Sequence, residues 1–324
     1  MKEDKDLYSS YIANCVFNAC SSYAAIMLNS LTIYALRKTS SLPKSLKPLL
    51  MSLAVSDLAV GLLAQPLYIA VTVTEFEENS QSNRYFDVTY KVYLFVVNLL
   101  TFASFFGVMA LSADRFLAIH LHLRYQELVT YKRVVMVVFT MWAVSTSLAT
   151  LRLCIPKNIC YLIFYAIYVC CFLATTAINY RIYVTLRRHT NQIQAMQAQQ
   201  APQHGEMANI ASLRKFAVGT LLVYLAFVIC YLPDCCRLVI FAVSKTSTSK
   251  EILRLYTLTL WFLNSSLNPV IYCWKMRPVR LAALDVLRKI LWSCYCLLGN
   301  FPECQVYFSK ISQPLLNFFY RTLL

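Results

Sequence analysis

The chain has 324 residues, a formal net charge of +15, and a composition that is 59% hydrophobic and only 14% charged. With a mean hydropathy of +0.54, these values exclude an ordinary soluble domain and favour a protein that spans a membrane. The basic residues collect in alternate short loops, as in the cytoplasmic loops of membrane proteins, so the positive charge predicts no nucleic-acid partner.

The first two predicted spans are separated by a strongly basic loop. The first span covers residues 7–36, and residues 37–47 then carry four bases and no acid. Such a loop is predicted to be cytoplasmic. The second span, residues 48–74, contains one charge, Asp57, and a proline, Pro66, that should kink it. The acidic segment that follows is predicted to be extracellular.

The third predicted span is the most informative stretch of the chain. Residues 92–113 carry no charge, and a helix of this length measures roughly 33 Å, enough to cross a bilayer. The span ends in Asp114-Arg115-Phe116. Charges at the edge of the hydrocarbon are costly unless they are paired or functional, so this junction is the first candidate site.

Four more spans and an amphipathic helix complete the prediction. The fourth span covers residues 134–151, the fifth follows residues 152–160, the sixth runs from 216 past Pro233, and the seventh covers 255–274. The polar residues 190–207 link the fifth and sixth spans and are expected to be mobile. Residues 275–291 alternate bases and apolar residues at helical spacing, which predicts an amphipathic helix on the inner membrane surface. Cys294 and Cys296 follow at positions suited to palmitoylation.

Six of the spans carry motifs, and together they resemble the rhodopsin-like (class A) G-protein-coupled receptors over about residues 10–292. These motifs are Asn29, Leu53-Ala54-Val55-Ser56-Asp57, Asp114-Arg115-Phe116, Trp142, Cys230-Tyr231-Leu232-Pro233, and Asn264-Ser265-Ser266-Leu267-Asn268-Pro269-Val270-Ile271-Tyr272. The resemblance implies an all-α bundle of seven membrane helices. Residues 1–10 would be a short extracellular terminus, 11–292 the receptor domain and 293–324 a cytoplasmic tail, in a multi-pass protein of the plasma membrane.

The resemblance also implies a function, which is to bind an extracellular ligand within the bundle and activate a heterotrimeric G protein. Outward movement of the sixth span would release Arg115 from Asp114 and open the coupling site. The residues expected to couple to the G protein or to switch are Asp114, Arg115, Phe116, Leu123, Tyr231, Pro233, Asn268, Pro269 and Tyr272. Leu213 stands where relatives often carry an acid that restrains the arginine, so raised basal activity is expected.

A mid-membrane cluster is implied around Asp57. Similarity to the family would bring Asp57, Ser104, Asn264, Ser265 and Asn268 together around a sodium ion, the one cofactor expected. A carboxylate at this depth costs roughly 2.5–3.5 kcal/mol, so it needs oxygen partners or a cation. The alternative is a polar network that fixes helix packing without an ion.

The ligand pocket implied by the family is mostly apolar. Its residues would be Val97, Asn98, Thr101, Tyr231, Asp234, Cys235, Leu258 and Phe262. Val97 argues against a biogenic amine and Phe262 against retinal, because relatives for those ligands carry an aspartate and a lysine there. Asp234 either pairs with Arg237 or anchors a cationic ligand. The agonist is expected to be a small molecule, a lipid or a short peptide.

Several departures from the family pattern remain. Tyr231 replaces the usual tryptophan, Tyr90 replaces the cysteine of the usual outer disulfide, and Asn179 stands at the position of an inner tyrosine, with Tyr180 next to it. The fifth span also lacks the central proline of the family, and the outer loop before it, residues 152–160, is very short. The lost disulfide and proline, together with this short loop, resemble the melanocortin, lysophospholipid and cannabinoid branch. Cys154 and Cys160 flank the outer loop and either bridge each other or stay free.

Other classes of protein explain the sequence less well. A transporter would show internal repeats, and none is found. An intramembrane enzyme would need paired catalytic groups, but Asp57 has no second acid at its depth, so no enzymatic activity is predicted. A decoy receptor that has lost signalling is the more serious alternative.

Overall fold

The computed structural model describes residues 2–39, 42–77, 84–121, 124–197, 204–243 and 248–297. Within these ranges the chain is helical and contains no strand. The elements in chain order are α1 (Lys2–Lys38), α2 (Leu46–Ala59), a π-helical turn (Val60–Ala64), α3 (Gln65–Glu77), α4 (Arg84–Leu121), α5 (Tyr125–Leu128), α6 (Tyr131–Cys154), α7 (Lys157–Gln197), α8 (His204–Val243), α9 (Thr248–Lys275) and α10 (Arg277–Leu297).

These elements form the predicted bundle of seven membrane helices, with α2, the π-helical turn and α3 making up the second. Six segments of the described residues are long and apolar enough to cross a membrane: Leu7–Lys38, Leu46–Phe76, Phe86–Leu121, Tyr131–Cys154, Ala166–Arg188 and Phe216–Arg237. The seventh helix, α9, is less apolar because Asn264, Ser265 and Asn268 lie on its face. That face is buried against the bundle. The motif at Pro269, rather than hydropathy, therefore identifies this span.

Helix α4 lies at the centre of the bundle and packs against α2, α6, α7 and α8. Buried side chains of α2, α4, α8 and α9 form the largest core cluster, which includes Leu53, Phe105, Val108, Phe227 and Tyr272. Lipid chains are as apolar as these side chains, so close packing and interhelical hydrogen bonds hold the helices together more than exclusion of water does.

Two of the sequence motifs tie neighbouring helices to each other. The Asn29 amide donates to the backbone oxygen of Ser265 at 2.9 Å, which joins α1 to α9. The Trp142 indole donates to Ser52 Oγ at 2.9 Å, which joins α6 to α2. The motif residues Asn29 and Trp142 therefore act in helix packing.

The predicted kink of the second span is a π-helical turn. Pro66 lacks an N–H, and its ring would clash with the carbonyl of the preceding helical turn. The wider turn at Val60–Ala64 relieves that conflict. Gly61 lies in it and lets α1 approach closely, because a Cβ at this position would stand 2.9 Å from the backbone oxygen of Ser22. Ser22 Oγ in turn donates to the Gly61 carbonyl at 2.8 Å.

The predicted amphipathic helix is α10. Its buried face includes Val279, Ala283 and Val286. On its polar side, Asp285 pairs with Lys38 at the end of α1. The ion pair with Lys38 lowers the pKa of the Asp285 carboxyl. Since α10 follows α9 directly, this pair fixes the helix beside the end of the bundle that carries Asp114, hereafter the Asp114 end.

Two predicted segments differ in the structure. Residues 2–10 continue the first helix. Of the polar linker, residues 190–197 belong to α7 and residues 204–207 to α8, so these parts of the chain are helical. Alanine and glutamine are good helix formers, which explains the extension of α7. The remaining linker residues 198–203 and the tail residues 298–324 lie outside the described residues.

Candidate functional site

The Asp114 end holds a buried ionic cluster. Arg115 is 2% exposed and Asp114 5% exposed, and the Arg115 Nε donates to Asp114 Oδ2 at 2.9 Å. This is the pairing that the sequence predicted. Phe116 stacks on His120, with 5.5 Å between ring centroids.

A tyrosine that the sequence analysis did not select completes this cluster. The Tyr125 hydroxyl of α5 donates to Asp114 Oδ1 at 2.6 Å, and it also lies 2.6 Å from Ser45 Oγ. Burial and the neighbouring Asp114 raise the pKa of Tyr125 to about 12. The phenol therefore keeps its proton at physiological pH and acts as a donor. Both oxygens of Asp114 are engaged, one by Arg115 and one by Tyr125.

The aromatic switch predicted around Tyr231 is a packed cluster. Tyr231 stacks on Phe227 at 4.1 Å between centroids and meets Trp261 edge-on at 5.7 Å. Phe105 of α4 meets Phe227 edge-on at 4.6 Å. Pro233 and Pro269 lie within α8 and α9, as predicted. Tyr272 is 1% exposed and belongs to the core at the Asp114 end.

The predicted sodium cluster forms in part. Asp57 is fully buried and accepts a hydrogen bond from the Asn268 amide at 2.8 Å. Asn264 and Ser265 are also buried. Ser104 instead donates to Ser56 Oγ at 3.2 Å.

Buried oxygens near Asp57 remain without a hydrogen-bond partner among the described residues. They are Asp57 Oδ1, Asn264 Oδ1, Asn268 Oδ1 and Tyr272 Oη. A carboxylate oxygen and two amide oxygens are hard ligands, and an unpartnered buried oxygen is costly. This donor set therefore fits a hard monovalent cation.

A cavity of about 250 Å³ lies between α4, α7, α8 and α9. Four of the predicted ligand residues line it, namely Thr101, Tyr231, Asp234 and Cys235. Half of the other lining residues come from α7 and were not predicted, namely Tyr168, Val169, Phe172 and Leu173. Only the rotation of α7 reveals which of its apolar residues face inward, so the sequence carried no signal for them.

The other predicted ligand residues lie elsewhere. Val97 and Phe262 line a second cavity of about 10 Å³, large enough for about one water. Leu258 packs with them in a separate apolar cluster. Asn98 is half-buried, and its amide donates to the Leu94 carbonyl at 2.7 Å. These four residues are therefore not part of the larger cavity.

The small cavity lies between the two predicted sites. It shares Thr101, Tyr231 and Trp261 with the larger cavity, and it reaches Ser104 and Ser265 of the Asp57 cluster. A change in the rings of Tyr231 or Trp261 therefore alters the walls of both cavities.

Asp234 pairs with Arg237. The Arg237 Nε donates to Asp234 Oδ1 at 2.7 Å, and Thr257 Oγ1 donates to the same oxygen at 3.2 Å. Of the two alternatives left open by the sequence, the structure has the paired acid.

The remaining predicted sites are only partly covered by the structure. Cys154 is an exposed, free thiol, so its bond to Cys160 is not formed here. The side chains of Cys160, Cys294 and Cys296 lie outside the described part of the chain, as do Leu123 and the side chain of Leu213. For Cys154 the structure has the free thiol of the two alternatives, and the palmitoylation sites stay predictions.

A bundle of seven membrane helices with a buried Asp-Arg pair at one end and an aromatic cavity in its interior defines a membrane receptor of the rhodopsin type. The chain belongs to the rhodopsin family of seven-transmembrane receptors, whose family pattern it matches over residues 28–272. It is therefore a receptor and not an enzyme.

The chain is similar to adenosine receptors. It is 26% identical over 317 residues to adenosine receptor A2b of Gallus gallus, covering 85% of this chain and 87% of that receptor. It is 25% identical over 296 residues to adenosine receptor A2a of Canis lupus familiaris, covering 82% and 69%. It is 31% identical over 126 residues to adenosine receptor A3 of the same species, covering 37% and 36%.

These relatives correct one prediction. The resemblance to the melanocortin, lysophospholipid and cannabinoid branch is wrong, because the similar proteins are adenosine receptors. That prediction rested on absences, chiefly Tyr90 in place of a cysteine and a short outer loop. A lost disulfide or proline can arise independently in different branches, so such absences are weak evidence of relationship.

Proposed function

We propose that this receptor binds a small-molecule agonist in the larger cavity and activates a heterotrimeric G protein when α8 moves outward at the Asp114 end. The observation that carries the proposal is the buried cluster of Asp114, Arg115 and Tyr125. Hydrogen bonds hold these three polar side chains together. If they separated, the permanently charged guanidinium of Arg115 would be free.

In the resting arrangement the hydrogen bonds of Asp114 are made within the receptor itself. Asp114 has a partner on each oxygen, and breaking a buried ion pair by removing one partner costs roughly 3–5 kcal/mol. Activation must therefore give Arg115 new acceptors, such as backbone carbonyls of a docked G protein. Beside this cluster, Ile119 of α4, Ile182 of α7 and Ala217 of α8 pack together, and an outward movement of α8 would open that contact.

The aromatic cluster supplies a route from the agonist to α8. Tyr231 lines the larger cavity and stacks on Phe227, which belongs to the core shared with Tyr272. Pro233 lies two residues beyond Tyr231 and is the natural bending point of α8. A ligand that displaces the Tyr231 ring would thus act directly beside the hinge.

A sodium ion at Asp57 is part of the proposal. The unpartnered oxygens of Asp57, Asn264 and Asn268 are the residues that would hold it. The ion would neutralise the buried carboxylate, and the small cavity would link its site to the agonist.

We also assign the receptor to the plasma membrane with its amino terminus outside, which an epitope tag at Met1 on intact cells would test.

The names of the relatives make adenosine the first soluble agonist to test. The cavity offers five aromatic rings and few polar groups; the rings are those of Phe105, Tyr168, Phe172, Tyr231 and Trp261. Flat aromatic ligands stack on such rings.

The deciding experiment compares ligand-free signalling of the wild type and Arg115→Ala at matched surface levels. Cyclic AMP and recruitment of each G-protein class are measured, with Lys132→Ala, an exposed base of α6, as the matched control. A wild-type signal that is lost in Arg115→Ala and kept in Lys132→Ala supports the proposal. Signal of equal size in Arg115→Ala would contradict it. If no variant signals even with adenosine or an uncharged lipid amphiphile added, the decoy alternative takes its place.

A further inference from the structure

The wall of the larger cavity is incomplete between α7 and α8. Leu173 of α7 and Leu232 of α8 line the cavity, yet they are 61% and 46% exposed on the outside of the bundle. Cys236 also lines it and is exposed. All three residues lie within the apolar segments Ala166–Arg188 and Phe216–Arg237. In a membrane their neighbours are acyl chains, so the cavity opens sideways to the bilayer.

The lining of the cavity changes from apolar to polar along its length. Its walls are mainly aromatic and aliphatic, with Phe105, Phe172 and Leu173 among them. Asp234 supplies the charged group of the lining, and it pairs with Arg237 one turn further along α8. The cavity therefore offers apolar walls for a chain and a carboxylate for a polar head.

The charged pair also restricts the charge that a bound headgroup can carry. Asp234 and Arg237 neutralise each other, and both are mostly buried, with side chains 20% and 10% exposed. A headgroup with a further charge would be left without a partner in a medium of low dielectric constant, which is costly. A hydroxyl can instead donate to Asp234, because a carboxylate has about four acceptor positions and, among the described residues, Arg237 and Thr257 each donate one hydrogen bond to it.

We propose that the cavity takes a single-chain, uncharged amphiphile that enters from the bilayer between α7 and α8. The chain lies along Phe105, Phe172 and Leu173, and a hydroxyl of the head binds Asp234. This inference rests on the proposed agonist cavity and names the chemistry of its occupant.

The test uses the full receptor in phosphatidylcholine nanodiscs that contain a monoacylglycerol with a diazirine in its chain and an alkyne for detection. After irradiation, labelled peptides are mapped by mass spectrometry. The variants are Leu232→Trp and Leu173→Trp, whose indoles would fill the opening. The matched control is Leu225→Trp, since Leu225 is 44% exposed on the same helix and does not line the cavity.

We expect saturable labelling of α7 and α8 that falls about tenfold in Leu232→Trp and in Leu173→Trp and stays unchanged in Leu225→Trp. Unlabelled monoacylglycerol should compete, and adenosine should not. Labelling that is equal in all variants would mean annular lipid only and would overturn the inference. Competition by adenosine but not by the lipid would also overturn it, because the cavity would then take a soluble ligand.

The assay contains no G protein, so a failure of coupling leaves its result intact. Conversely, the comparison of wild type with Arg115→Ala requires no ligand. The two proposals can therefore fail separately.

Discussion

The Tyr125 hydroxyl lies 2.6 Å from Asp114 Oδ1 and donates its proton to that oxygen. A four-residue helix between the third and fourth spans, α5, thereby holds the carboxylate that restrains Arg115. Because Ser45 meets the same phenol from the loop before α2, three separate segments converge on the resting ion pair. The resting state thus depends on loop segments as well as on the membrane helices.

Tyr125→Phe should raise ligand-free signalling. The substitution removes a hydrogen bond to a charged group, worth about 1.5–3 kcal/mol, from the resting state alone. Basal G-protein recruitment at matched surface level measures the effect, with Ser45→Ala as a control that should change it less. Recruitment equal to the wild type would show that the phenol does not restrain Asp114.

The same contact should be insensitive to pH over the physiological range. The pKa of Tyr125 is raised to about 12, so the protonated form is favoured in the folded state. Its contribution is fully present below the ordinary tyrosine pKa and is lost only as the pH rises through about 12. Recruitment to purified receptor measured from pH 6 to pH 9 should show no step that Tyr125→Phe abolishes; such a step would mean that the phenol ionises much earlier.

Asp57→Asn should abolish stabilisation by sodium. At ten times its dissociation constant, an ion that binds only the folded state stabilises it by about 1.4 kcal/mol. Thermal unfolding in sodium chloride and in N-methylglucamine chloride at equal ionic strength measures the difference. We expect a sodium-dependent rise in Tm for the wild type and none for Asp57→Asn. An equal rise in both would place the sodium effect away from Asp57.

Gly61→Ala should destabilise the receptor, whereas Gly219→Ala should be tolerated. A Cβ at Gly61 would stand 2.9 Å from the Ser22 backbone oxygen, which cannot move without shifting α1. At Gly219 the nearest atom is the Cβ of Lys275 at 3.4 Å, an ordinary contact. Overpacking typically costs about 1–3 kcal/mol. Tm measured in detergent should fall only for Gly61→Ala, and equal Tm values would contradict the close approach of α1.

Arg237→Gln should lower the receptor's stability more than the double variant Asp234→Asn/Arg237→Gln does. The single change leaves a mostly buried carboxylate without its cation, while the double change replaces the pair by neutral hydrogen-bonding groups. Surface expression and Tm of the three proteins test the difference. If the double variant is as unstable as the single one, the pair does not act as a unit.

The sequence predicted those features of the receptor that depend only on the local order of its residues. Long apolar segments and the motif around Arg115 depend only on local composition and order, and both are found in the structure. Tyr125 was missed because its partner Asp114 is brought to it by the fold of a short loop. Tyr168 was missed because nothing local shows how α7 is rotated, and Phe262 was misplaced for the same reason in α9.

The π-helical turn at Val60–Ala64 has a consequence for comparison between receptors. A π turn holds one residue more than an α turn, and each residue of an α-helix advances the helix by 100°, since 3.6 residues make a turn. Beyond Ala64 every side chain of the second span therefore points as though one residue had been inserted. Tyr68 reaches Asn14 of α1 at 3.0 Å through this rotation. In a receptor whose second span is a continuous α-helix, no residue is inserted at this point. If such a receptor is aligned with this chain without a gap at residues 60–64, Gln65 and Tyr68 are paired with residues that face a different neighbour.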